Sequence, residues 1–334
     1  MPPMRRVVDG RRGSLVGAAA LAVVLAACGS SAITSTSTST TGRATTTTTA
    51  DQGSAATSST SIVAVVRSAR WASNVSVQVS GSSITVSSDG LPSTTYWTRP
   101  ADYALPDAGV MVPTAATAHV GTDPTVAKSV SLTFPGVPVW SATTTATSLG
   151  SIGIMVSGAT LFNPYEGNAS TVALSSNFTV TDSSGVSASF VDRCNGHPTP
   201  QGEYHYHGIP NCITDKVDGS TGPSHLIGIA FDGYPIYGDR DAHGSLVQPS
   251  QLDSCNGIYS ATPEFPHGIY HYVLPDATDA RSSITCYHGV VDRTLAQIAA
   301  GAAACGALPV TGYLTAATRP PRRTSALTTQ GAST

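Results

Sequence analysis

Charge is scarce in this chain. Of 334 residues, 17 are Lys or Arg and 20 are Asp or Glu, so 11% are charged, against about 25% in an average soluble domain. The formal net charge is -3 and the few cations are scattered or terminal, which excludes the basic surface that nucleic-acid binding needs. Recognised catalytic signatures are missing too: there is no His-Glu-x-x-His, no Gly-x-Ser-x-Gly elbow and no phosphate-binding glycine loop. Their absence removes most of the support for hydrolase and nucleotide-binding readings. Beyond the N-terminus no apolar run reaches the roughly 20 residues needed to cross a bilayer.

What is present begins with an export signal. Arg5, Arg6, Arg11 and Arg12 precede an apolar run over residues 15–25, which is followed by small residues and Cys28. This run is too short for a membrane-spanning helix and has the layout of a signal peptide. The stretch "LAAC", residues 25–28, resembles the bacterial lipobox, whose cysteine is acylated and becomes the mature N-terminus. The expected location is the cell envelope, with the chain lipid-anchored on the outer side of the cytoplasmic membrane, or on the outer membrane of a Gram-negative cell. Disulfides persist there. With Cys28 set aside, Cys194, Cys212, Cys255, Cys286 and Cys305 remain.

After the signal peptide of residues 1–28, residues 29–61 are nearly all Ser, Thr, Ala and Gly, too poor in apolar surface to fold and suited to a disordered tether. From about residue 62 apolar and polar residues alternate, as in "NVSVQVSGSSITVSSDG" around Gly81, the pattern of a hairpin. Further strand-like runs occur at "SVSLTF", "IGIMVSGATLF" and "NFTVTD". These predict a single, mainly β domain over residues 62–295, sandwich-like or built of irregular sheets. Residues 296–334 read as the end of a short helix, near 291–306, and a disordered tail.

Two internal echoes refine this. "IGIMVSGATLF" matches "IGIAFDGYPIY", and "DRCNGHPTPQGEYHY" matches "DSCNGIYSATPEFPHGIYHY" at Asp-x-Cys-Asn-Gly and Gly-x-Tyr-His-Tyr. Each copy has one cysteine before its Tyr-His-Tyr and one after, so the expected bridges are Cys194 with Cys212 and Cys255 with Cys286, leaving Cys305 over. Either loop contributes about 3 kcal/mol in the chain-entropy view.

The ordered set "GEYHYHGIPNC", "HLIGIAFDGYPIYG" and "HGIYHY" resembles the YHYH-domain family of secreted or surface proteins. The resemblance covers about residues 190–290, and more faintly the segment "IGIMVSGATLFNPYEG". It implies a domain identity and an extracytoplasmic home and assigns no reaction. The second copy departs from the pattern, with Val273 where the first has His207.

Along a strand, alternate side chains share a face, so His205 and His207 point one way and Tyr204 and Tyr206 the other. A His-x-His pair can give two nitrogen ligands to Zn or Cu, with His197, His225 or His271 completing the set. Asp232, in the turn "FDGYP", could ligate or orient a histidine, and its echo Ser157 lacks that capacity, so the site is expected in the second half. A buried Tyr-His-Tyr strand can equally be a structural network. Three functions follow: a lipid-anchored module that binds a transition metal without turnover, a metal-dependent enzyme, or a disulfide-stapled interaction or adhesion module for a protein or glycan. The first is the reading adopted.

Mass spectrometry of the mature protein should show an acylated N-terminal Cys28. An unmodified N-terminus downstream of that residue refutes lipid anchoring.

Overall fold

The alternating runs around Gly81 form a hairpin of β1 (Val75–Ser80) and β2 (Ser83–Ser88), paired from Val75 with Ser88 to Ser80 with Ser83. Gly81 provides the turn's left-handed φ of 58° at no steric cost. The structure, a computed structural model, describes residues 60–291. The export signal with Cys28, the Ser/Thr-rich segment before residue 60 and, from residue 292 on, the expected helix with Cys305 lie outside the described residues.

β3 (Asp102–Pro106) and β4 (Ala118–Thr122) pair as a ribbon. β5 (Val130–Pro135), the strand expected at "SVSLTF", joins β2 to complete a three-stranded sheet. Ile84, Val86 and Phe134 of this sheet are fully buried. β6 (Trp140–Ala146) follows and later receives the final strand of the described chain.

The echoing segments build the centre. β7 (Ser151–Met155) returns as β8 (Thr160–Phe162), and a separate ribbon of β9 (Thr179–Thr181) and β10 (Ser187–Ser189) intervenes. Next come β11 (Gly196–Pro198) and β12 (Tyr204–Tyr206). The second copy runs β13 (Leu226–Ala230), β14 (Pro235–Tyr237), β15 (Gly257–Ser260) and β16 (Ile269–Val273). β17 (Cys286–Gly289) then pairs with β6.

Eight of these strands form one sheet in the order β11-β12-β8-β7-β13-β14-β16-β15. The order maps onto itself when the two copies are exchanged. β12 runs parallel to β8 as β16 runs parallel to β14, and the other neighbours are antiparallel. Across the central pair, Gly153 faces Ala230, Ile154 faces Ile229 and Met155 faces Gly228, so a pseudo-two-fold axis passes between Ile154 and Ile229. Every residue of β7 and β13 is buried. Covering both faces explains why these strands are continuous apolar runs while β1 alternates.

Two short α-helices lie among the strands of this mainly β domain. α1 (Ile62–Ser68) buries Ile62, Val65 and Val66, a helical spacing too brief to stand out in so β-branched a segment, and tertiary packing overrides its weak propensity. α2 (Asn211–Val217) begins after Pro210 and buries Cys212, Ile213 and Val217.

The central register demands glycine. A Cβ on Gly153 would stand 2.5 Å from the Ile229 carbonyl oxygen, and one on Gly228 would stand 2.8 Å from that of Ile154. Both clashes are with backbone, which cannot swing aside. Gly153→Ala and Gly228→Ala should therefore each destabilise the domain by about 3 kcal/mol in chemical denaturation. Wild-type stability in both variants would refute the register.

Candidate metal centre

The first copy gathers three histidines. β11 and β12 pair antiparallel with His197 directly opposite His205, which puts both rings on one face with centroids 4.6 Å apart. His207, just past the end of β12, returns to the same face, 4.7 Å from the His205 ring. Tyr204 and Tyr206 face the other way: Tyr204 donates to Asp192 Oδ2 at 2.8 Å and the Tyr206 hydroxyl meets Ser157 Oγ at 3.0 Å. His197, His205 and His207 are 4%, 3% and 1% exposed, and each offers a ligand atom within 4.8 Å of the others'.

Glu166 adds a carboxylate that the sequence reading passed over. Its Oε1 lies 3.5 Å from His197 Nε2 and 3.8 Å from His207 Nε2, ion-pair distances rather than good hydrogen bonds. The turn that presents it is fixed locally: Glu166 N–H donates to the Thr171 carbonyl, Ala169 N–H to the Glu166 carbonyl, and Ala169 takes a φ of 58°. No strand period runs through this segment, so no pattern in the sequence ties Glu166 to the histidines.

Hydrogen bonding fixes the His207 tautomer. His207 Nδ1 sits 2.7 Å from the Asn163 carbonyl and His205 Nδ1 3.4 Å from that of Glu203. A carbonyl only accepts, so the short contact to Asn163 puts the His207 proton on Nδ1 and turns its Nε2 lone pair toward His205. Those two Nε2 atoms are 3.0 Å apart. Neither imidazole supplies a proton near neutrality: burial, then repulsion from His197 and His207, holds His205 well below its usual pKa, and burial, then the charge on His197, lowers His207 to about 4. Burial opposes the charge on Glu166, but its histidine neighbours hold its pKa below the usual value.

Two neutral imidazoles meet this closely through one N–H···N hydrogen bond, with His205 donating, or through a cation held between their nitrogens. Zn–N bonds of about 2.0–2.1 Å in a tetrahedron set neighbouring nitrogens about 3.3 Å apart, close to what is seen. Both ring nitrogens of His197 and Oε1 of Glu166 are buried without a hydrogen-bond partner. Buried orphans of this kind are rare without a reason, and a shared metal ion would satisfy Glu166 Oε1 and one His197 nitrogen. The backbone carbonyls behind His205 and His207 then act as the outer partners that orient metal-bound histidines.

The other expected ligands have partners elsewhere. Asp232, fully buried, accepts from Tyr272 Oη at 2.6 Å, Gly289 N–H at 2.9 Å and Tyr234 N–H at 3.2 Å; burial raises its pKa to about 6 against these bonds. His225 Nδ1 lies 2.8 Å from Glu264 Oε1, and Tyr237 donates to the other Glu264 oxygen at 3.0 Å. His271 donates to the Ile269 carbonyl at 3.1 Å and packs on Tyr237. The structure therefore leaves His225, His271 and Asp232 out of the histidine group, which sits in the first half rather than beside the Asp232 turn. A second cluster, Asp253, Cys255 and His288, offers no thiolate because Cys255 is bonded to Cys286. The other bridge joins Cys194 to Cys212.

Residues 131–249 and 243–289 match the family model described as YHYH protein, a span that contains Glu166 and all three clustered histidines. No curated protein and no solved structure matches the chain.

His271 makes the burial of an imidazole measurable away from the cluster. Burial lowers its pKa to about 4, against the Ile269 carbonyl and Glu264, which raise it, whereas an unfolded histidine titrates near about 6.5. Between those values the unfolded chain binds a proton that the folded one does not, so stability falls as pH drops through the window. From pH 6.5 to 4.5 the wild type should lose about 2 kcal/mol more than His271→Gln. Asp218 and Asp232, both raised to about 6, act oppositely but are common to both proteins. Equal losses in urea titrations would show that His271 is not buried neutral.

Proposed function

Starting from a chain that is a YHYH-domain protein, we propose that it is a lipid-anchored protein of the cell envelope that binds one transition-metal ion, Zn or Cu, through His197, His205, His207 and Glu166. One observation carries this reading: the Nε2 atoms of two buried histidines stand 3.0 Å apart, beside a buried carboxylate oxygen and a third imidazole that have no hydrogen-bond partner. Three imidazoles and a carboxylate form a borderline donor set of the kind Zn and Cu(II) accept. Export favours such a set, because imidazole stays competent where thiols oxidise.

Elemental analysis of the full chain, purified without added metal or a histidine tag, should find about one Zn or Cu per molecule, as a four-residue donor set implies. His205→Ala combined with His207→Ala should abolish this while the apo fold persists. A wild type that stays metal-free at micromolar ion, with a double variant that fails to fold, would make these residues a core network instead.

All three histidines lie inside the loop closed by Cys194 and Cys212. Opening that bridge with Cys194→Ser and Cys212→Ser should weaken metal binding about tenfold or more through lost preorganisation. The matching pair Cys255→Ser and Cys286→Ser, whose loop carries none of the four ligands, should leave affinity nearly unchanged. Equal effects in a dialysis titration would show that the bridge does not hold the ligands.

A further inference from the structure

Glu166, His197, His205 and His207 all line a cavity of about 190 Å³, so a metal held by them faces it. The remaining walls are mostly apolar: Pro106, Met111, Leu149, Phe162, Phe190 and Pro198 are among them. Phe162 stacks on the His205 ring at 3.9 Å and Phe190 packs 4.3 Å from His197, which makes the imidazoles and the apolar wall one continuous surface. Leu149 and Met111 are 39% and 73% exposed and mark the open side. Among the described residues no Lys or Arg lines the cavity, and Glu166 is the one acidic residue that does.

Resting on the metal centre above, we propose that this cavity receives a small monoanion with an apolar body, of the size and kind of an aromatic monocarboxylate, whose single donor head binds the metal as a fifth ligand. Size sets the scale of the ligand. A cavity of about 150 Å³ accommodates benzene, so about 190 Å³ admits one ring and a carboxylate within its walls. Charge selects the head: with no cationic side chain present, the metal alone attracts an anion, and Glu166 repels a second or third negative charge. The walls select the body, since apolar surface leaving water on both sides favours a ring over a short polar acid. Organic phosphates and polycarboxylates are therefore disfavoured.

Co(II) loaded into the full chain supplies a visible band that reports its ligands. Benzoate should shift this band and saturate about tenfold or more tighter than acetate, from the extra apolar area buried, and citrate should bind more weakly than benzoate. Leu149→Trp, which fills the open side without touching a ligand, should weaken benzoate about tenfold and leave the benzoate-free spectrum unchanged. A bound cobalt whose band ignores benzoate, acetate that binds as tightly as benzoate, or Leu149→Trp that binds benzoate like wild type each overturns the ligand assignment while leaving the metal centre standing. A wild-type chain that takes up no Co(II) overturns both.

Discussion

The antiparallel pairing of β7 with β13 is the contact on which the rest of the structure depends. Gly153 and Gly228 let the two backbones close at positions where a Cβ would strike the opposite carbonyl, and Ile154 and Ile229 meet on the pseudo-two-fold axis. Burying either isoleucine contributes about 1.5–3 kcal/mol. The larger consequence is geometric: each copy buries its apolar hairpin against the other, and everything added to one outer edge has a counterpart on the other.

That symmetry extends to the polar scaffold. Asp192 accepts from Tyr204 Oη and the Cys194 and Gly196 amides, and Asp253 accepts from Tyr270 Oη and the Cys255 and Gly257 amides. Asn195 and Asn256 both adopt a left-handed φ near 60°, which Asn tolerates better than most residues. Each copy thus carries the same Asp-x-Cys-Asn-Gly turn, and a bridge from its cysteine to a later segment. The turn fixes the start of one strand against the Tyr-His-Tyr strand beside it.

The copies diverge where chemistry can occur. Ile258 stands where the first copy has His197, and Val273 where it has His207, so His271 keeps the place of His205 without imidazole neighbours. Its Nδ1 still faces the carbonyl two residues back, as that of His205 does, and it packs on Tyr237 as His205 stacks on Phe162. In the second copy a carboxylate, Asp232, replaces Ser157 beneath the second tyrosine of the motif and ties it to the Gly289 amide. The same framework therefore serves as a polar strut on one side and as a cluster of three imidazoles and a carboxylate on the other.

Much of this was legible in the sequence, because it rests on local pattern. The period-two runs placed β1, β2 and β5, the apolar echoes marked the strands at the centre of the eight-stranded sheet, and the two-residue spacing of His205 and His207 put them on one face. Helix α1 was not legible, since its seven residues carry one helical spacing in a β-branched segment and are held by packing. The remainder of the cluster was decided by tertiary structure alone. Strand pairing chose His197 over His225 and His271 by setting it opposite His205, and an irregular turn brought in Glu166, whose distance along the chain from the histidines encodes nothing about its distance in space. The sequence by itself determined the strands and the one-sided pair of imidazoles, since side-chain alternation is a property of a single strand; only the closed sheet decided what that pair would face, since proximity between segments depends on how the whole chain packs.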